Sequence, residues 1–139
     1  MLLEPEPHGL ILTGSSFRIE FRRDGDRLRA ELTGVAGCLA TVTECWRMIA
    51  SETVRSGVSM LLVVDHSSGD ALTLEELEQF IRLLAGIGLE GVRVAYVGSD
   101  PAKAVNNEAT EIYARERGFI TRVFHVESDA TTWLRHGER

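Results

Sequence analysis

A carboxylate, an imidazole and two hydroxyls follow one another in Asp65-His66-Ser67-Ser68, and Gly69 closes the run. These are the residue types of a hydrolytic triad. Such a triad needs the hydroxyl within hydrogen-bond reach of the imidazole, and the imidazole oriented by the carboxylate. Residues adjacent in sequence rarely aim at one another in that way, although His125 and Asp100 could approach from neighbouring strand ends. No Gly-x-Ser-x-Gly elbow is present. The stretch therefore reads first as a hydrogen-bonded loop, with a hydrolase-like enzyme using Asp65, His66 and Ser67 as the third of three functional readings.

Other chemistries find less support. His8, His66, His125 and His136 are scattered, Cys38 and Cys45 make no Cys-x-x-Cys pair, and no His-Glu-x-x-His occurs, so no metal site is expected. Neither Gly34-Val35-Ala36-Gly37 nor Gly86-Ile87-Gly88 matches a dinucleotide fingerprint or a Walker loop. A nucleotide would have only the helix amino ends at Thr73 and Asp100, where ordinary capping already accounts for the residues. No cofactor is expected.

The element that must position these groups is the run Met60-Leu61-Leu62-Val63-Val64, which lacks alternation and so reads as a central strand buried on both faces. Open parallel sheets meet ligands and partners at the crest beyond such strands, here Asp65 to Thr73, with Ser99 and Asp100 beyond the next strand. Upstream, Phe17, Ile19 and Phe21 alternate with charged residues, as do Leu28, Ala30 and Leu32, and Asp24-Gly25 between them predicts a hairpin. Thr41-Val42-Thr43-Glu44 and Thr73-Leu74-Glu75-Glu76 read as capping boxes opening helices. The first helix has an apolar stripe of Val42, Cys45, Trp46, Ile49, Thr53 and Val54. Val92–Val97 makes a strand, Asp100-Pro101 opens a helix with Val105, Ala109, Ile112 and Tyr113 inward, Phe119–Val126 makes the last strand, and Ser128-Asp129 caps a final helix. The order is β-β-α-β-α-β-α-β-α.

That order predicts an α/β domain over 17–136 behind an N-terminal extension, 1–16. Its five-stranded, mostly parallel sheet has sequential strand order, the hairpin's first strand being the antiparallel edge. Right-handed crossovers in that order stack helices on one face, so the other face needs cover from the N-terminal segment or from a second copy, and a homodimer is expected. The net charge of -6 argues against a nucleic-acid partner. Between Ser56 and Gly98 six acids face only Arg82 and Arg93, which points to a basic or neutral partner. If one helix holds both cysteines they lie two turns apart, too far for a disulfide, and reduced thiols in a cytoplasmic chain are the simplest expectation. Met1–His8 has no basic start of a signal peptide, and no apolar run is long enough to span a membrane.

The order of elements, together with Leu62-Val63-Val64-Asp65-His66, Val94-Ala95-Tyr96-Val97-Gly98, Tyr113-Ala114-Arg115, Gly118-Phe119 and Ala130-Thr131-Thr132-Trp133-Leu134, resembles the STAS domain superfamily. In particular it resembles the bacterial SpoIIAA-like group related to anti-sigma factor antagonists, over about Phe17 to Leu134. The resemblance implies a non-enzymatic regulatory module that docks a protein partner, and a fold overlapping that of apolar-ligand carriers of the CRAL-TRIO type. A carrier of a small apolar ligand under the sheet's uncovered face is thus the second reading. In the antagonists the phosphorylated hydroxyl follows an acidic residue and opens the helix after the central strand. Here Ser67-Ser68-Gly69 follows Asp65-His66 and the helix opens at Thr73, so the resemblance makes Ser67, Ser68 and Thr73 the phosphorylation candidates.

Overall fold

The computed structural model describes residues 9–136; the expectations for Met1–His8 lie outside them. Strands β1 (Leu10–Thr13), β2 (Phe17–Asp24) and β3 (Arg27–Gly34) precede helix α1 (Leu39–Ser56) and the central strand β4 (Met60–Asp65). Helix α2 (Leu74–Leu84), strand β5 (Arg93–Gly98), a 3-10 turn (Pro101–Lys103), α3 (Ala104–Glu116), β6 (Ile120–Phe124) and α4 (Glu127–His136) follow. The sheet order is β1-β2-β3-β4-β5-β6, antiparallel through the hairpin and parallel from β3 onward.

The sheet thus has six strands where five were expected, and β1 takes the antiparallel edge assigned to the hairpin's first strand. Gly14 N–H donates to Phe17 O at 2.9 Å and reverses the chain, letting Leu12 pair with Ile19 and extend the core. A four-residue strand leaves too short an alternation to be read from sequence.

Side-chain alternation then divides the sheet. Ile19, Phe21, Leu28, Ala30, Leu61, Val63 and Val94 face α1 and α2, which contribute Cys45, Ile49, Leu77, Phe80 and Ile81 to one core. Leu62, Val64, Ala95 and Val97 face the other way, against Ala130, Trp133 and Leu134 of α4. Neither the N-terminal segment nor a second copy is needed to cover that face. Over β2 and β3 the same side carries Arg18, Glu20, Arg22, Arg29 and Glu31, which suit water. Among the described residues the expected homodimer has no uncovered apolar sheet face to rest on.

Helix boundaries shift for local reasons. α1 starts at Leu39 with Cys38 as N-cap, so Thr41–Glu44 is not its cap. α4 starts at Glu127, so Ser128 lies inside it and accepts from the Thr131 and Thr132 hydroxyls at 3.0 Å. The outermost members of the expected stripes, Val54, Val105 and Ile112, are exposed.

Candidate functional site

The loop after β4 is built as a rigid crest. His66 N–H donates to Leu32 O at 2.8 Å, Ser68 N–H to Gly34 O at 2.9 Å and Ala36 N–H to Ser68 O at 2.9 Å, carrying the β3–β4 ladder beyond the strands proper. Two glycines make this pairing fit. Gly69 has φ +120, and a Cβ there would come within 2.8 Å of Gly37 Cα.

On the helix side of the crest, Asp65 Oδ1 accepts from Ser67 N at 2.8 Å and Ser67 Oγ at 2.6 Å, while Oδ2 accepts from the Tyr96 hydroxyl. Burial, with the Asp65 charge beside it, pushes the Tyr96 hydroxyl well above the ordinary tyrosine range. His66 lies on the other face, because successive residues of an extended chain point to opposite sides. Its Nε2 meets Glu31 Oε2 at 2.9 Å, in a cluster where Arg29 also binds Glu31 at 3.0 Å and Glu127 at 2.8 Å. Hydrogen bonds from Arg29 hold both carboxyls below their usual range. Asp65, His66 and Ser67 therefore do not assemble as a triad: the serine donates to the carboxylate, and the imidazole faces elsewhere.

The remaining candidates have structural duties. Ser68 is exposed, and its hydroxyl reaches Gly34 O at 3.3 Å. Thr73 forms the expected capping box, its Oγ1 accepting from Glu76 N at 3.1 Å while Glu76 Oε1 accepts from Thr73 N at 2.9 Å. Asp100 caps the 3-10 turn by accepting from Ala102 N at 3.0 Å, Ser99 is exposed beside it, and His125 is exposed beyond β6. Among the described residues no group of three or more His, Cys, Asp or Glu side chains comes together to hold a metal, and no helix is long and apolar enough to cross a membrane.

Beneath the crest lies a cavity of about 130 Å³ between the sheet and α1, α2 and α3. Its inner wall includes Cys45, Trp46, Leu77, Phe80 and Val94; Asp65, Ser67, Asp70, Lys103, Asn106 and Asn107 contribute polar groups. Asn106 Nδ2 donates to Leu72 O, tying α3 to the crest loop. A ligand space was expected under the opposite face, which α4 fills; the cavity lies instead on the α1–α3 side, where Asn106, Asn107, Thr110 and Glu111 of α3 line it. Tyr96 and these α3 residues were not singled out from the sequence. The available signal was polar residues recurring at 106, 107, 110 and 111, a helical face in their own right.

No protein-family model matches this sequence, and no curated protein matches it. Solved structures do. An anti-sigma factor antagonist from Mycobacterium paratuberculosis superposes with a TM-score of 0.58 at 15% identity, covering 89% of this chain and 99% of that one. An uncharacterized protein with a SpoIIAA-like fold from Shewanella loihica PV-4 superposes with a TM-score of 0.53 at 20% identity, covering 91% and 99%. With its mixed sheet, four helices and near-complete coverage of both structures, the chain has a SpoIIAA-like fold.

Proposed function

We propose that this chain is a non-enzymatic regulatory module of the cytoplasm that docks a protein partner through the crest from Asp65 to Glu78. The observation that carries this reading is the combination of rigidity and exposure: the loop is pinned to β3, yet Ser68, Asp70, Ala71, Leu74 and Glu75 stand in solvent. A preorganised surface loses little entropy on binding. Its acids, Asp70, Glu75, Glu76 and Glu78, favour a basic or neutral partner. The antagonist of like fold supports a protein partner, and the free thiols Cys38 and Cys45 fit a reducing compartment.

Phosphate is the regulatory modification suited to this crest. Ser68 and Thr73 present exposed residues, and a dianion at Thr73 would gain from the amino end of α2 while meeting Glu75 and Glu76. Ser67 is the poorest acceptor, since its hydroxyl already lies 2.6 Å from the Asp65 carboxylate. Affinity capture from the source cell tests docking. The wild type and the β2 variant Arg22→Glu should retain the same partner, and Asp70→Arg with Glu75→Arg should lose at least tenfold of it with an unchanged melting temperature. Equal retention by the crest variant overturns the docking site.

A further inference from the structure

We propose that the cavity between the sheet and α1–α3 is a binding site for a single-ring aromatic molecule carrying one uncharged hydrogen-bond donor. The size follows from comparison: an apolar cavity of roughly 150 Å³ stays dry and holds benzene, so about 130 Å³ accommodates one ring of about six to eight non-hydrogen atoms. The ring preference follows from the wall. Trp46 stands 6.1 Å from Phe80 in an edge-on arrangement and 6.3 Å from Tyr96, so three aromatic side chains gather at one space and offer edge and face contacts to a guest.

The polar end follows from what is left unmet at the cavity's polar side. Among the described residues Asp65 Oδ2 accepts only from Tyr96, leaving room for another donor. The Asn107 side chain makes no hydrogen bond to another described residue, and its Nδ2 lies where a Cβ on Gly98 would be 3.1 Å away, next to the Tyr96 ring. Asp65, Asp70 and Glu111 outnumber Lys103 around the space, so a carboxylate guest is disfavoured. A hydroxyl donating to Asp65 and accepting from Asn107 matches both. The site shares Asp65 and Asp70 with the crest, but titration with small aromatics and capture of a protein partner are separate readouts, so the failure of one would leave the other standing.

Trp46 is a built-in reporter, because the other tryptophan, Trp133, packs on the opposite face. In a Trp133→Phe background, benzyl alcohol, toluene and benzoate are titrated against Trp46 fluorescence, with melting temperature as a parallel readout. Benzyl alcohol should give a saturable change and raise the melting temperature. Toluene should bind about tenfold more weakly for want of the hydrogen bonds, and benzoate should give no saturable change. Thr110→Phe fills the space and should abolish the response. Asn107→Leu keeps the cavity and should bring benzyl alcohol down to the level of toluene, so the claim stays testable should the filled variant fail to fold. Absence of a saturable response to benzyl alcohol, its survival in folded Thr110→Phe, or benzoate or toluene binding as well as benzyl alcohol would overturn the proposal.

Discussion

Asp65 gathers three donors on one carboxylate, two from Ser67 and one from Tyr96. This arrangement sets a pH dependence. Burial first, then the Asp65 charge, pushes Tyr96 well above 10.0, and burial, with Asp65 and Glu44 adding, pushes the Cys45 thiol from 9.0 up to about 12. In the unfolded chain both groups ionise near their ordinary values, so above those values the unfolded state has lost protons that the folded state still holds. Stability from these groups is fully present below about pH 9 and falls as pH rises, first through Cys45 and above about pH 10 through Tyr96 as well. Each steepens the decline by up to about 1.4 kcal/mol per pH unit. Urea midpoints over an alkaline series check this. Tyr96→Phe should remove the added slope above about pH 10 and, by leaving Asp65 one partner short, should cost about 1–2 kcal/mol at neutral pH. A slope identical to wild type would mean that the hydroxyl does not sit against Asp65 in solution.

At the scale of elements, helix ends and edges explain what the sequence could and could not reveal. The α2 box was legible because Thr73-x-x-Glu76 stands directly before the apolar stripe. The same pattern at Thr41–Glu44 misled: Glu44 is engaged by the Ser15 hydroxyl at 2.8 Å, and the buried Thr43 hydroxyl has no hydrogen-bond partner among the described residues. Cys38 has the extended backbone of an N-cap, φ -136 and ψ 162, and its thiol makes no well-formed capping bond, although the Thr41 hydroxyl and then the Thr41 and Ala40 amides lie close enough to hold it below the ordinary thiol range. Thr73→Ala should therefore cost about 1 kcal/mol while Thr73→Ser and Thr73→Asn retain most of it, and Cys38→Ser should add about 0.5–1 kcal/mol. Thermal melts decide both, and destabilisation by Cys38→Ser would show that the contact from Cys38 Sγ to Thr41 Oγ1, 3.2 Å, matters more than the cap. α3 meets its expected face in part: Ala109 and Tyr113 pack on the core, whereas Val105 and Ile112 are exposed and Ala114 is buried in their stead. Glu111 accepts from Val123 N–H at 2.7 Å and Arg115 donates to Thr121 O at 2.9 Å, so backbone groups of the edge strand β6 decide which side of the helix turns inward. Hydrophobic periodicity carries no information about that requirement.

Across the whole molecule, the fold was legible because the unbroken Met60–Val64 run allows only a two-sided burial, and the structure divides it between α1–α2 on one face and α4 on the other. Which face the last helix takes was not legible, since that depends on how the chain returns over the β6 edge. α4 carries a large duty for ten residues. Trp133 is buried among Val64, Ala95 and Val97, with Phe124 at 5.8 Å, and Arg93 lies 4.6 Å over its ring while donating to the Trp133 and Leu134 carbonyls at 2.5 and 2.9 Å. One strand residue thus satisfies two of the helix's last carbonyls and clamps its main apolar anchor. Trp133→Ala should cost about 3–5 kcal/mol, a large share of the roughly 5–15 kcal/mol that holds a domain together. It should also uncover Leu62, Val64, Ala95 and Val97, an apolar strip able to drive association. Light scattering at micromolar concentration should then read 15.4 kDa for the intact chain and a larger, concentration-dependent mass for Trp133→Ala. An intact chain scattering at twice its mass would return the homodimer to consideration and require a surface other than the one α4 covers.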